Sequence, residues 1–316
     1  MPTTEAYVAL RESAAWRDVS SRGRLRAFGE DRKRLLHALA TNHIDGLVPG
    51  QGVYAFFLNA QGRVLADAVI ACRESDFLIL TEPETREKLA AHIDCYIIAD
   101  DVTLEDLTDT TCEFTLEGPG AGARLAELGL PAPEAEYGIA ESDGISVVRA
   151  ALTGQPGFRI IAPLDRRDSL CSRLAANAPE ASAEDLLAVR LENAVPRYGD
   201  DISERYIAHE TGRLDALHFN KGCYLGQEIV ERVRSRGLVH RQLHAFRIEG
   251  PAVPPPGEKL LAGDKEAGEI TSAAWSPAEG VVRALAYLRQ EFASAPDLRT
   301  AAGQRAQLAD DHRRNA

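Results

Sequence analysis

The segment from His218 to Arg232 reads His-Phe-Asn-Lys-Gly-Cys-Tyr-Leu-Gly-Gln-Glu-Ile-Val-Glu-Arg. Gly222 and Gly226 flank Cys223 and Tyr224, so the backbone there can approach another surface closely. Lys221, two residues before the thiol, is a charge that favours a thiolate. Gln227 and Glu228 read as the start of a helix. Cys223 would then sit just ahead of a helix N-terminus, whose partial positive charge acts in the same sense. The alternatives are a buried, inert thiol and a functional one. No Cys-His-Asn spacing for acyl transfer is present.

Two carboxylates sit where a negative charge is disfavoured. Along a strand Arg63 to Ala71, Leu65, Asp67 and Val69 share one face, and Val64, Ala66, Ala68 and Ile70 share the other. Both faces are mostly apolar. An ionised Asp67 therefore needs either a partner or an end-of-strand position open to solvent or backbone amides. Glu192 closes a helix that includes Arg190, where the helix dipole disfavours a negative charge. It is either an exposed surface residue or one held by a cation or hydrogen-bonding ligand.

The elements that must position these residues follow from pattern. Asp31 reads as the N-cap of a helix carrying Leu35, Leu36 and Leu39. Val53–Leu58, the turn Asn59-Ala-Gln-Gly62 and Arg63–Ala71 read as a hairpin, with a third strand at Phe77–Thr81 and a helix over 84–93. Residues 112–178 read as a separate α+β unit: a strand at 112–117, a short helix at 123–128, strands near 145–150 and 157–162, and a helix over 165–177. Ser182 and Asp185 form a capping-box pattern that opens a helix through Leu191. Strand-like runs at 243–248, 268–274 and 281–288, separated by Pro and Gly, predict a small β-barrel. Residues 1–23 carry little pattern, and the alanine-rich tail from Pro296 reads as a frayed helix.

Composition narrows the function. The 316 residues carry 36 Lys and Arg against 48 Asp and Glu, a formal net charge of −12. Tight binding of a polyanion would need a local basic patch, and Arg232-Val-Arg-Ser-Arg236 is a short one. The five cysteines, Cys72, Cys95, Cys112, Cys171 and Cys223, form no CxxC pair. That scatter suits a reducing compartment and does not spell a local zinc or cluster site. The chain shows no signal-peptide pattern and no long apolar run, so a cytoplasmic protein is expected.

Lys221-Gly-Cys-Tyr-Leu-Gly-Gln-Glu228, with Arg232 four residues on, resembles the signature of the YgfZ family, folate-binding relatives of the glycine cleavage aminomethyltransferase (T-protein). The likeness spans about residues 24–290. It includes Gly29-Glu-Asp-Arg32, Leu36–Asn42, Pro49-Gly-Gln-Gly52, Leu58–Asp67, Arg190-Leu-Glu192 with Pro196 and Tyr198-Gly-Asp200, and Ile270–Pro277 with Ala284–Tyr287. It implies an α+β, three-lobed arrangement around a central folate channel. The expected lobes are a discontinuous folate-binding domain (1–111 plus 181–240), an inserted ferredoxin-like domain (112–180) and a C-terminal barrel with tail (241–316).

The resemblance also implies roles. Tetrahydrofolate or a one-carbon derivative is the expected cofactor, with Asp67 near the reactive folate nitrogens and Glu192 gripping the pterin. Lys221, Tyr224 and Gln227 are implied as further folate contacts. Arg232 or Arg236 would face the anionic glutamate tail, and Trp275 the channel mouth. The transferases usually carry two adjacent acidic residues where this chain has Ala66-Asp67, and the cysteine segment is not a transferase feature. Both departures favour a YgfZ-like role: a monomeric accessory to iron–sulfur client proteins, with Cys223 and Asp67 as the reactive groups. The competing readings are a true aminomethyltransferase, a non-enzymatic folate-binding scaffold, and a folate-dependent tRNA-modifying factor. The negative charge argues against the last.

Overall fold

In the computed structural model, residues 3–237 and 239–309 are described. The chain opens with helix α1 (Glu5–Glu12) and strand β1 (Ala15–Asp18). Thr4 caps α1, its hydroxyl accepting from Tyr7 N at 2.9 Å. This stretch, which carries little pattern in sequence, is ordered from Thr4 on by a cap and a buried face of Ala6, Tyr7, Ala9 and Leu10.

The first unit is a five-stranded antiparallel sheet. Its elements are β2 (Gly23–Phe28), α2 (Arg32–Leu39), β3 (Gly52–Leu58), β4 (Val64–Cys72), β5 (Asp76–Thr81), α3 (Arg86–Asp94) and β6 (Thr103–Asp106), with strand order β3-β4-β5-β2-β6. Leu35, Leu36 and Leu39 of α2 and Leu89 and Ile93 of α3 pack on one face of this sheet. Asp31 precedes α2 as predicted, but its carboxylate accepts from Asp101 N at 2.9 Å instead of capping the helix. The β3–β4 register shifts between Phe57 and Leu58, leaving Leu65 as a bulge. That extra residue moves Val64 away from Ala66 and Ala68, which face the helices, and into the opposite cluster with Phe56 and Val69.

The second unit comprises β7 (Thr111–Glu117), α4 (Ala121–Glu127), β8 (Ile139–Ser142), β9 (Ile145–Val148), β10 (Gly157–Pro163) and α5 (Arg167–Asn177). Its sheet runs β1-β7-β10-β9-β8, so an N-terminal strand forms one edge. Trp16 of β1 is buried in this unit's core against Phe114, and its indole N–H donates to Ala178 O at 3.1 Å. The unit over 112–180 thus borrows a strand from outside its own stretch of sequence. The short β8 is an element the pattern misses.

Helix α6 (Ala183–Glu192) opens with the predicted capping box, Ser182 with Asp185. A long irregular connection leads to α7 (Gln227–Arg236). The last unit is a closed six-stranded barrel, β11 (Arg241–Ile248), β12 (Lys259–Ala262), β13 (Lys265–Ser276), β14 (Val281–Arg289), β15 (Leu298–Thr300) and β16 (Arg305–Leu308). The tail expected as a helix is a hairpin through residue 308, and 310–316 lie outside the described residues. Gly303, at φ +90°, makes its turn. Leu298, Thr300 and Ala306 are buried in alternation, and β16 closes the barrel by pairing with β11. No helix among the described residues is long and apolar enough to cross a membrane.

Candidate functional site

A cavity of about 670 Å³ lies between the two five-stranded sheets and α6, within the size range of small-molecule sites. β4 contributes Asp67, β3 Tyr54, the end of β5 Thr81 and Glu82, β10 Arg159, and the segment before β8 Tyr137. Arg22, Arg197 and Arg213 also line it.

Asp67 is buried, not solvated. Tyr54 stands opposite Val69 in the hairpin and reaches diagonally to Asp67, its hydroxyl donating to Oδ2 at 2.7 Å. Burial, with the neighbouring charge of Glu82, pushes the Asp67 carboxyl up to about 6, against the stabilising bond from Tyr54. Glu82 goes the other way. Its burial is outweighed by Arg22 and Arg197, which hold it below the usual range. Arg22 forks onto it at 2.6 and 2.7 Å, and Arg197 Nε donates at 3.0 Å. One carboxylate of the pair is thus locked ionised, and the other changes protonation near neutrality.

The aromatic wall comes from both sheets. Tyr54 and Tyr137 stack with centroids 6.1 Å apart, and the Arg213 guanidinium lies 3.9 Å from the Tyr54 ring centre. Arg213 is fixed by Asp215 at 2.8 and 2.9 Å. Tyr137 adopts φ +60°, unusual for a residue with a side chain. A side chain at Gly52 would lie 2.1 Å from the Tyr137 carbonyl oxygen, so Gly52 of the Pro49-Gly-Gln-Gly52 run is what admits this segment. Tyr137, Pro196 and Arg213 also line a second hollow of about 530 Å³ towards β11, and so stand between the two spaces.

Among the candidate catalytic and folate-binding residues named from sequence, only Asp67 lines the main cavity, joined by Arg190, Pro196 and Asp200 of the resembling segment. Glu192 is drawn into a joint between α1, α6 and the barrel. Tyr7 and Ser276 hydroxyls donate to its Oε1 at 2.6 and 2.5 Å, and Arg11 pairs with Oε2. With both oxygens so engaged, Glu192 joins α1, α6 and the barrel, and it is not among the residues that line the cavity. Lys221 is buried, and its ammonium donates to the carbonyls of His37, Ala40 and Asn42. An ammonium has three N–H donors, so none is left to hydrogen-bond Cys223. Burial pulls Lys221 down to about 8.

Cys223 is exposed. Tyr224 is buried in the cluster with Phe56 and Leu58. Gln227 begins α7 as the pattern predicts. Arg232 pairs with Glu228 at 2.5 Å on the exposed side of α7, and Arg236 is exposed in its last turn. Trp275 packs half-buried on the barrel core. Tyr54, Glu82, Tyr137, Arg159 and Arg213 are site residues that the sequence reading passed over. Arg159 carried the same signal as Asp67, a charge inside an apolar strand. Tyr137 carried none, because its position depends on backbone contacts distant in sequence.

Comparison with known proteins decides the family. Residues 2–221 match the GCVT N-terminal domain and residues 241–307 the glycine cleavage T-protein C-terminal barrel domain. An aminomethyltransferase of Rubrobacter xylanophilus is 31% identical, over 90% of this chain and 78% of its own length. The chain belongs to the glycine cleavage T-protein family. A putative chloroplastic transferase of Arabidopsis thaliana is 26% identical over 92% of this chain and 68% of its own length. The crystal structure of glycine cleavage system aminomethyltransferase T from Bartonella henselae superposes with a TM-score of 0.88, covering 96% of this chain and 87% of that one at 19% identity. The T-protein fold, with its closed barrel, is therefore the fold of this chain.

Proposed function

We propose that this T-protein family member binds tetrahydrofolate, or a one-carbon derivative, in the main cavity. The observation that carries the reading is Asp67, a buried carboxyl on the cavity wall beside the stacked Tyr54 and Tyr137 rings. A reduced pterin has a ring face for the aromatic pair and adjacent N–H donors for a carboxylate. The donor set therefore fits such a group. Asp67, near neutrality in its titration, can hold or release a proton at Oδ1 or Oδ2 while Tyr54 keeps it oriented.

On the next level we place the protein on the YgfZ-like branch, as a cytoplasmic accessory to assembly or repair of iron–sulfur clusters in client enzymes. Supporting this are the 221–228 motif and the exposure of Cys223 away from the cavity lining. A thiol so placed meets a macromolecular partner, not the cavity's contents. Lys221 serves this by pegging the motif to the C-terminal end of α2. A second reading, aminomethyl transfer to tetrahydrofolate, is favoured by the naming of the Rubrobacter xylanophilus relative.

Three experiments test these readings. Anaerobic titration with tetrahydrofolate tests the cavity: saturable one-to-one binding is expected, and no binding at millimolar ligand would remove the folate reading. In a deletion strain, Cys223→Ala should fail to restore iron–sulfur client activity. Full restoration would refute the thiol's role. Formation of methylene-tetrahydrofolate from aminomethyl-loaded carrier protein would instead establish the transferase reading.

A further inference from the structure

The arginines expected to meet an anionic tail, Arg232 and Arg236, do not line the cavity, but another arginine does. Arg159 of β10 is 2% exposed, lines the cavity, and pairs through Nε with Glu113. Its Nη2 is buried with no hydrogen-bond partner among the described residues. Glu113 cannot balance it alone, because Arg24 Nη1 takes the other oxygen at 3.2 Å. Arg22, on the same cavity wall, forks onto Glu82, which also serves Arg197, and the Arg22 Nε is likewise buried without a partner.

Within this buried set, Arg22, Arg24 and Arg159 share Glu82 and Glu113, three guanidiniums on two carboxylates, while Arg197, which also reaches Glu82, is matched by Glu84 and Asp200. An excess of buried positive charge with unused N–H donors is costly unless something completes it. Burial, and the nearby charge of Arg22, both work against the charged form of Arg159. An anion on the cavity side of the guanidinium reverses both effects.

We propose that Arg159, supported by Arg22, forms an anion subsite in the cavity and takes a carboxylate of the ligand that also meets Asp67. This rests on the folate reading in one respect: the carboxylate is then one from the ligand's glutamyl tail. The cavity then offers a carboxyl and two tyrosines for a pterin and an arginine for the tail. The subsite also stands without folate, since its chemistry is that of any small carboxylate or phosphate.

The test is calorimetric titration of the full chain, wild type and Arg159→Gln, with four probes: tetrahydrofolate, a tetrahydropterin lacking the tail, p-aminobenzoyl-glutamate and inorganic phosphate. Arg159→Gln should weaken tetrahydrofolate and p-aminobenzoyl-glutamate at least about tenfold, and leave the tetrahydropterin within about twofold. Unchanged tail binding, or equal weakening of tetrahydropterin and tetrahydrofolate, would overturn the subsite. Should Arg159→Gln fail to fold, Arg159→Lys decides. It keeps the charge without the fork and should weaken both tail-bearing probes about threefold or more; wild-type affinity would count against the proposal. If the wild type binds no tetrahydrofolate, the folate reading falls while the subsite is judged separately. Arg159-dependent binding of p-aminobenzoyl-glutamate or phosphate sustains it, and no binding of either refutes it.

Discussion

The Tyr54 hydroxyl donates to Asp67 Oδ2 at 2.7 Å across the β3–β4 hairpin, inside the cavity. This contact sets a carboxyl against an aromatic wall and leaves it dependent on one phenol and on whatever the cavity receives.

A pH effect follows. Asp67 is raised to about 6 by burial and by Glu82, above its ordinary value of about 3.9. The folded protein therefore holds a proton that the unfolded chain has lost between about pH 4 and pH 6, and stability falls as pH rises through that window. The shift corresponds to about 2–3 kcal/mol. Asp67→Asn keeps an acceptor for Tyr54 but cannot ionise. In urea titrations without ligand, its stability relative to wild type should climb by roughly 2 kcal/mol from pH 4 to pH 7. A difference independent of pH would contradict this account of Asp67.

Glu192→Ala should act on stability and not on the cavity. It strips partners from Tyr7, Arg11 and Ser276 at the joint of α1, α6 and the barrel. A loss of about 1–3 kcal/mol is expected for leaving buried hydroxyls unpaired. Folate affinity should stay within about twofold of wild type. Selective loss of affinity with stability intact would restore Glu192 as a ligand-binding residue.

Much of the frame was legible, and for a physical reason. The hairpin, the capping box at Ser182 and the barrel strands rest on local periodicity and turn chemistry, which sequence carries directly. Asp67 was legible as a charge in an apolar strand. Glu192 was legible as a negative charge at a helix C-terminus, but its resolution lay in Tyr7 and Ser276, far away in sequence. The edge strand β1 pairs with the distant β7, and the short hairpin β15–β16 is held in the barrel by the distant β12 and β11, so neither shows in local pattern. The alanines of 301–302 then weighed towards helix. Lys221 was read through its neighbour Cys223, whereas its bonds run to the C-terminal end of α2.

Lys221→Met should consequently behave as a structural lesion. Removing an ammonium that satisfies the carbonyls of His37, Ala40 and Asn42 should cost about 2–3 kcal/mol. It should also raise the hydrogen-exchange rate of amides in 221–226. Cys223→Ser, on an exposed side chain, should shift stability by no more than about 0.5 kcal/mol. Equal stabilities of the lysine variant and wild type would show that the peg is dispensable.

Arg213→Ala removes the cation above Tyr54 and the partner that Asp215 fixes. Ligand affinity should fall roughly five- to thirtyfold, in line with about 1–2 kcal/mol for a desolvated cation–aromatic contact. A titration showing unchanged affinity would place the ligand away from this wall.

The central claim is that the Asp67 cavity receives tetrahydrofolate. Anaerobic calorimetric titration of wild type, Asp67→Ala and Cys223→Ser tests it most directly. One-to-one binding to wild type and Cys223→Ser, weakened at least about tenfold in Asp67→Ala, is the expected result. No binding to wild type at millimolar ligand, or wild-type affinity in Asp67→Ala, would contradict it.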